Sequence, residues 1–258
     1  MIPPFALIVT AAGSSERFSK EDVKKEFLKL DGHTVLYRAT EPFFELPGLV
    51  AVVITCKKGT EDEAIVALED LVDVGSVPML FTEGGESRQE SVHLALEKLA
   101  SISIPFEYVA IQDGARPYTT PDLIIRTLAA ATTTGGAIPA LPMTDSIRRI
   151  NAQGEIIECI DRRGVVRVQT PQIFSFYPLL EAHRNAQKGV ATDDAELFIK
   201  SGNRCVISEG DEKNIKITYI EDIPNAKEQI EEYIKEREEG RKTAKAVHLF
   251  QSFVQGEK

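Results

Sequence analysis

The stretch Ala6-Leu7-Ile8-Val9-Thr10 runs straight into Ala11-Ala12-Gly13-Ser14-Ser15-Glu16-Arg17-Phe18. The short apolar run reads as a buried strand. The small residues after it make a turn where backbone can approach a ligand and offer N–H groups to phosphate oxygens. Apolar runs rich in Val and Ile recur at Val50–Thr55, Met79–Thr82, Tyr108–Gln112 and Ala137–Ala140. Between them lie helix-like segments near Val35–Phe44, Glu61–Leu71, Ser91–Leu99 and Pro121–Ala131. Strands this continuous in hydrophobicity are covered on both faces. Their alternation with helices predicts right-handed βαβ crossovers, hence an α/β fold with a Rossmann-like, mostly parallel sheet flanked by helices. In such sheets ligands sit outside the carboxyl ends of the strands, where the 11–18 loop lies.

Further along the pattern changes. Asp145–Ile150 and Glu155–Ile160 flank Asn151-Ala152-Gln153-Gly154, a turn sequence suited to a β-hairpin. The charges on its strands predict that the hairpin projects from the domain as an arm whose edges a partner chain can cover. Helices are expected at Tyr177–Gln187 and Asp193–Ser201, short strands at Arg204–Ile207 and Ile215–Thr218, and a charged helix over Ile220–Glu238. Val247, Phe250 and Val254 then fall at helical spacing. The expected organisation is one α/β domain over residues 1–235, with the arm inserted at about 142–168, and a tail over 236–258 without an assigned role.

With 258 residues, 43% hydrophobic and 27% charged, the chain has the composition of a globular protein able to bury a sizeable core. Its formal net charge of −10 argues against nucleic-acid or anionic-membrane partners. Three scattered cysteines (Cys56, Cys159, Cys205) predict no disulfide framework and a reducing compartment. The four histidines show no zinc spacing. No basic residues precede the first apolar run, so no signal peptide is expected, and no run is long enough to span a bilayer. A cytoplasmic location follows as the expectation.

The candidate chemistry lies in loops. The 11–18 loop is neither GxGxxG nor GxxxxGK[ST], which disfavours a dinucleotide fold and a P-loop. Arg17, Lys24 and Lys25 follow it closely enough to hold triphosphate oxygens. A second loop, Gly84-Gly85-Glu86-Ser87-Arg88-Gln89-Glu90-Ser91-Val92, opens a helix; Gly85 permits close approach to a flat base, and Ser91 suits either a base contact or the helix start. In Gln112-Asp113-Gly114-Ala115-Arg116-Pro117 a carboxylate stands at a strand's carboxyl end, and a hard oxygen there suits Mg²⁺. Arg116 can pair with Asp113 or with a phosphate. Lys216 lies in an otherwise apolar stretch, Asn214-Ile215-Lys216-Ile217-Thr218.

Taken in order, the segments AAG…R, KEFL, GGESRQESV, QDGARP, TDSI, RVQTPQIF, TDDA and NIKIT resemble the 2-C-methyl-D-erythritol 4-phosphate cytidylyltransferases of the non-mevalonate isoprenoid pathway. The resemblance runs from about Ala6 to Asp222. It implies a nucleotidyltransferase that joins CTP to a small sugar-alcohol phosphate with Mg²⁺ or another divalent cation. It implies a CTP pocket from Ala11, Ala12, Gly13, Gly85, Glu86 and Ser91, with Lys216 on phosphate. Arg17 and Lys25 would stabilise the pentavalent phosphorus and Asp113 would hold the metal. Arg116, Ser146, Thr170 and Thr192 would surround methylerythritol phosphate, and Arg162 on the arm would reach a partner's site, implying a homodimer. The chain departs from the family's usual residues at Ser15, Phe18, Gln112, Gly114 and Ser146. The competing expectations are a ribitol-5-phosphate cytidylyltransferase, which shares most of this framework, and a non-catalytic nucleotide-binding dimer. A nicotinamide-dependent oxidoreductase lacks its glycine fingerprint.

Overall fold

The computed structural model describes residues 2–13, 15, 18, 23–72, 77–187, 189 and 191–235. Arg17 and the tail 236–258 lie outside the described residues. Its centre is an eight-stranded sheet. Strand β1 (Phe5–Ala11) lies between β4 (Leu49–Cys56) and β6 (Tyr108–Asp113), parallel to both, and β5 (Met79–Glu83) extends the parallel set beyond β4. On the other side β11 (Gln172–Ser175) runs antiparallel to β6 and to β7 (Gly136–Pro142). β10 (Val166–Val168) continues along the same flank of β7, while β12 (Val206–Glu209) pairs with β7 in parallel at the far edge. Two small ribbons complete the strands: β2 (Lys29–Leu30) with β3 (His33–Thr34), and the hairpin of β8 (Ile147–Ile150) with β9 (Ile156–Ile160).

Side chains along β1 alternate between two fully covered faces. Phe5, Leu7 and Val9 point toward α1 (Val35–Phe44) and α5 (Pro121–Thr134), where Leu36, Phe43, Ile124 and Leu128 meet them. Ala6 and Ile8 point toward α4 (Arg88–Ala100), α6 (Phe176–Arg184) and α7 (Asp194–Lys200), against Val92, Leu96, Leu179 and Phe198. This double burial explains why the strands read as unbroken apolar runs. The helices begin where their sequences offer caps: Thr34, Ser87, Thr120 and Asp193 each accept a hydrogen bond from a first-turn amide. Gly135, at φ 88°, closes α5.

A third apolar cluster sits at the carboxyl end of β6. Phe18, Val23, Leu28, Val35, Ala115 and Ile217 pack there against Ile223, Ala226 and Ile230. Residues 226–235 are helical and supply the last of these contacts. The cluster ties the segment carrying Lys25 to the segment carrying Lys216.

Several elements differ from the expectation. The helix expected over Glu61–Leu71 is two, α2 (Glu61–Ala67) and α3 (Glu69–Val72), parted where Leu68 leaves helical geometry (φ −119°, ψ 9°) and buries its side chain completely. Ile215–Thr218 is not a strand. It crosses the end of β6, with the Ile217 amide donating to the Ala115 carbonyl. The charged helix expected over Ile220–Glu238 starts later: Ile220–Asp222 is a 3-10 turn, Ile223 is extended before Pro224 as the proline ring demands, and the helix runs over 226–235 among the described residues. The expected strand at Arg204–Ile207 lies two residues later, as β12.

Candidate active site

The loops leaving β1, β4, β5 and β6 enclose a cleft of about 710 Å³ at the carboxyl edge of the parallel strands. Ala12 and Gly13 form one wall and Gly85, Glu86 and Ser87 another. These two walls touch. A methyl group placed on Gly84 would lie 2.3 Å from the Ala12 Cβ and 2.9 Å from the Ser91 hydroxyl, so the approach of the loops requires glycine there. The start of α4 is capped by Ser87, whose hydroxyl accepts from the Glu90 amide. Ser91 therefore does not cap the helix. Buried one turn in, its hydroxyl donates to the Ser87 carbonyl at 2.9 Å and accepts from the Gly85 amide at 3.1 Å. It fixes the bend of the glycine loop.

Two lysines close the near side. Lys24 turns back and donates to the Gly13 carbonyl, bracing the first loop. Lys25 lines the cleft and donates to the Ile217 carbonyl at 2.6 Å. The next residue, Glu26, is also buried, and burial raises its carboxyl pKa above 4.5 even though Lys25 pulls the other way.

At the floor stands Asp113, the last residue of β6, with its side chain 9% exposed. Lys216 Nζ lies 2.8 Å from Oδ2, Arg116 Nε 3.5 Å from the same oxygen, and Arg88 Nε 3.7 Å from Oδ1. Burial alone would raise this carboxyl's pKa. The charges of Lys216, Arg88 and Arg116 outweigh it and hold the group well below the usual carboxylate range. Asp113 is thus ionised with three cations around it. Positive charge exceeds negative at the floor of a protein whose net charge is −10, and an anionic ligand is the natural complement.

Behind Asp113 a ring of buried amides and hydroxyls sets these positions. Thr170 Oγ1 accepts from the Asp113 amide at 3.1 Å and donates to Gln112 Oε1 at 3.0 Å. Gln112 Nε2 donates to Thr119 Oγ1, which in turn donates to Asn214 Oδ1. Asn214 Nδ2 donates to the Thr170 carbonyl at 2.8 Å, closing the ring, and its own carbonyl accepts from Arg116 Nη1. Lys216 follows Asn214 by two residues, so the ring sets both partners of the Lys216–Asp113 pair.

Comparison with known proteins places this architecture. The chain matches the profile of IspD, 2-C-methyl-D-erythritol 4-phosphate cytidylyltransferase, over residues 5–232. A 2-C-methyl-D-erythritol 4-phosphate cytidylyltransferase of Cereibacter sphaeroides is 39% identical over 221 residues, 86% of this chain and 94% of the relative. The chain belongs to this cytidylyltransferase family. The crystal structure of a 2-C-methyl-D-erythritol 4-phosphate cytidylyltransferase from Thermus thermophilus superposes with a TM-score of 0.64 at 29% identity, covering 83% of this chain and 93% of that one. The fold is also that of the 4-diphosphocytidyl-2C-methyl-D-erythritol synthase from Anaerococcus prevotii, with a TM-score of 0.70 at 23% identity over 86% and 95% of the two chains. These likenesses do not favour the ribitol-phosphate or non-catalytic alternatives.

Within this cytidylyltransferase framework the residues singled out from the sequence fall into three groups. Ala12, Gly13, Lys25, Gly85, Glu86, Ser91, Asp113 and Lys216 line the cleft. Ala11, Arg116 and Thr170 stand directly behind it: Ala11 ends β1 with its amide bonded to Thr55 Oγ1, Arg116 pairs with Asp113, and Thr170 belongs to the buried ring. Ser146, Arg162 and Thr192 do not line it. They are exposed, with Arg162 at the base of the arm donating to the Thr144 carbonyl and Thr192 donating to Glu196. Two residues of the site carried no assignment from the sequence. Arg88 stands within GGESRQESV and Asn214 within NIKIT, where residue type alone does not show the contacts that bring them to the site. Among the described residues no group of three His, Cys, Asp or Glu side chains could hold a metal ion, and no helix is long and apolar enough to cross a membrane.

Proposed function

We propose that this chain transfers CMP from CTP to 2-C-methyl-D-erythritol 4-phosphate, forming 4-diphosphocytidyl-2-C-methyl-D-erythritol and releasing pyrophosphate. Family membership supports the activity, and one observation supports the site: Arg88 and Lys216 meet Asp113 in a cleft that Lys25 also lines and that two backbone loops border. The substrate's phosphate is already anionic, so its oxygen attacks the α-phosphorus of CTP without a general base. The protein's task is alignment and charge stabilisation. In this reading Ala11, Ala12, Gly13, Gly85 and Glu86 hold the nucleotide through backbone, with Ser91 keeping the second loop bent. Lys25, with Arg17, meets the charge that builds on the α-phosphoryl oxygens, and Lys216 moves from Asp113 to phosphate as the ligand enters.

A divalent cation fits the donor set. Mg²⁺ is commonly held by one or two carboxylates together with substrate phosphates and water, and Asp113 is an ionised carboxylate facing the cleft. Asp113 would hold such an ion, which would supply charge neutralisation at the phosphates. Arg116, Ser146, Thr170 and Thr192 are assigned to the methylerythritol phosphate side, Thr170 through the buried ring. The arm exposes Ile150, Ile156 and Ile157, each more than half accessible, which supports a homodimer in which Arg162 of one protomer reaches the site of the other. A reducing, cytoplasmic setting agrees with the free cysteines Cys56, Cys159 and Cys205.

The deciding experiment is incubation with CTP and Mg²⁺ plus either methylerythritol phosphate or ribitol 5-phosphate. A cytidine diphospho product from methylerythritol phosphate is expected. Product only from ribitol 5-phosphate, or CTP binding without turnover, overturns the proposal.

A further inference from the structure

Arg88 is held from two sides. Its Nη1 lies 2.7 Å from Asp194 Oδ2, and its Nε lies 3.7 Å from Asp113 Oδ1. Asp194 is almost wholly buried, 1% exposed. Its other oxygen, Oδ1, is 3.1 Å from His183 Nε2, and His183 is equally buried. With Asp194 ionised, the hydrogen of this contact sits on His183 Nε2 and donates to the carboxylate. The partner of Asp194 Oδ2 is Arg88, an ion pair at 2.7 Å. His183 Nδ1 has no hydrogen-bond partner among the described residues, and the ring lies near-parallel to His93 with centroids 6.3 Å apart. Asp193 adds a more distant negative charge on Arg88, but its own carboxylate caps α7 and accepts from Gln172.

Burying a carboxylate this deeply costs several kcal/mol before pairing, and apolar side chains of similar volume commonly stabilise a protein as well or better. Stability is therefore a poor reason for this pair, and the geometry suggests another. His183 occupies one oxygen of Asp194 and stops the carboxylate from rotating, so the second oxygen stays on Arg88. Arg88 leaves the first turn of α4 and lines the cleft. Without Asp194 its remaining anionic neighbour in the cleft floor is Asp113, which already takes Lys216 and Arg116. It would then close on Asp113, covering an oxygen that faces the cleft and withdrawing one cation from the ligand.

We propose that Asp194 and His183 are positioning residues that hold Arg88 back from Asp113, keeping the arginine available to phosphate and the Asp113 carboxylate available to a divalent cation. The inference rests on the cytidylyltransferase reading above and names residues outside the cleft that tune it. It joins α6, α7 and α4 to the end of β6, so the two helices on the far side of α4 contribute to the site without touching ligand.

The test uses the full chain and four forms: wild type, Asp194→Asn, His183→Leu and His183→Gln. Asn keeps the shape of Asp194 without its charge, and Gln restores an N–H donor in place of the imidazole. Asp194→Asn is expected to lower turnover by about tenfold to a hundredfold, the scale seen when an orienting partner of a ligand is lost, and to raise the Mg²⁺ concentration for half-maximal rate. His183→Leu is expected to move both quantities the same way and to melt lower, because it strips a partner from a buried carboxylate, and His183→Gln to restore most of the kinetic loss. Crystals of Asp194→Asn are expected to show Arg88 in direct contact with Asp113. An inactive wild type would refute the cytidylyltransferase reading instead. Wild-type kinetics in Asp194→Asn, equal losses in the two His183 variants, or an unmoved Arg88 would overturn this inference. If Asp194→Asn does not fold, the His183 pair decides alone.

Discussion

Lys216→Met separates what Lys216 does for stability from what it does for the reaction. The substitution keeps most of the stem and removes the ammonium group, 2.8 Å from Asp113 Oδ2. At that distance the bare attraction is ~6 kcal/mol for an effective dielectric of ~20. Much of it is not realised as stability. The Lys216 side chain is 39% exposed, and pairs open to solvent typically return about 0–1 kcal/mol after screening and lost rotamer freedom. Asp113 also keeps Arg88 and Arg116, so its charge stays compensated in the variant. The expected change in unfolding free energy is therefore within about 1 kcal/mol. Turnover should behave differently. A preorganised charge donor lost from a phosphoryl-transfer site costs roughly 10²–10³-fold in rate. Pyrophosphate release under saturating CTP, methylerythritol phosphate and Mg²⁺ reads the second quantity, and a urea titration reads the first. A variant that unfolds several kcal/mol more easily while its rate stays near wild type would refute the reasoning, because Lys216 would then be a structural pair and nothing more.

Gly84→Ala should push the Ala12 and Gly84 loops apart, since its methyl group would meet the Ala12 Cβ at 2.3 Å; a cost of about 1–3 kcal/mol and a clear loss of CTP affinity in calorimetry are expected. Glu26→Gln addresses pH: burial raises the Glu26 pKa above 4.5, so the folded state keeps its proton longer than the unfolded chain, and stability from this group is greatest in acid and falls as pH rises through the raised value. The variant should melt higher than wild type at neutral pH and the difference should close below about pH 4.5, and a constant difference at all pH would contradict that account. Ile156→Asp with Ile157→Asp should convert a dimer to monomers in size-exclusion chromatography and lower activity with it; a dimer of unchanged size would place the interface elsewhere.

The sheet was legible because its strands are buried on both faces, so hydrophobicity alone marked β1, β4, β5, β6 and β7. β11 escaped notice: Gln172-Ile173-Phe174-Ser175 is four residues long, and its antiparallel insertion between β6 and β7 depends on pairing, which periodicity does not carry. Ile215–Thr218 misled in the other direction, because its apolar side chains serve the third cluster and not a ladder. At the site, the glycine loop and Asp113 could be found as residue types at strand ends. Arg88, Asp194 and Asn214 could not, since each matters through a contact with a residue far along the chain: Asp194 meets Arg88 across 106 positions and Asn214 meets Thr170 across 44. Lys25 over Lys24 came from the KEFL resemblance and not from residue type. The two are neighbours in sequence, and packing turns one to the Gly13 carbonyl and the other into the cleft.

A crystal structure with CTP and Mg²⁺ bound tests the convergence of charge most directly. The account predicts triphosphate oxygens within about 4 Å, ion-pair reach, of Lys25, Arg88 and Lys216, with the metal on Asp113. A nucleotide whose phosphates point to solvent, leaving Lys216 on Asp113 and Arg88 on Asp194, would contradict it.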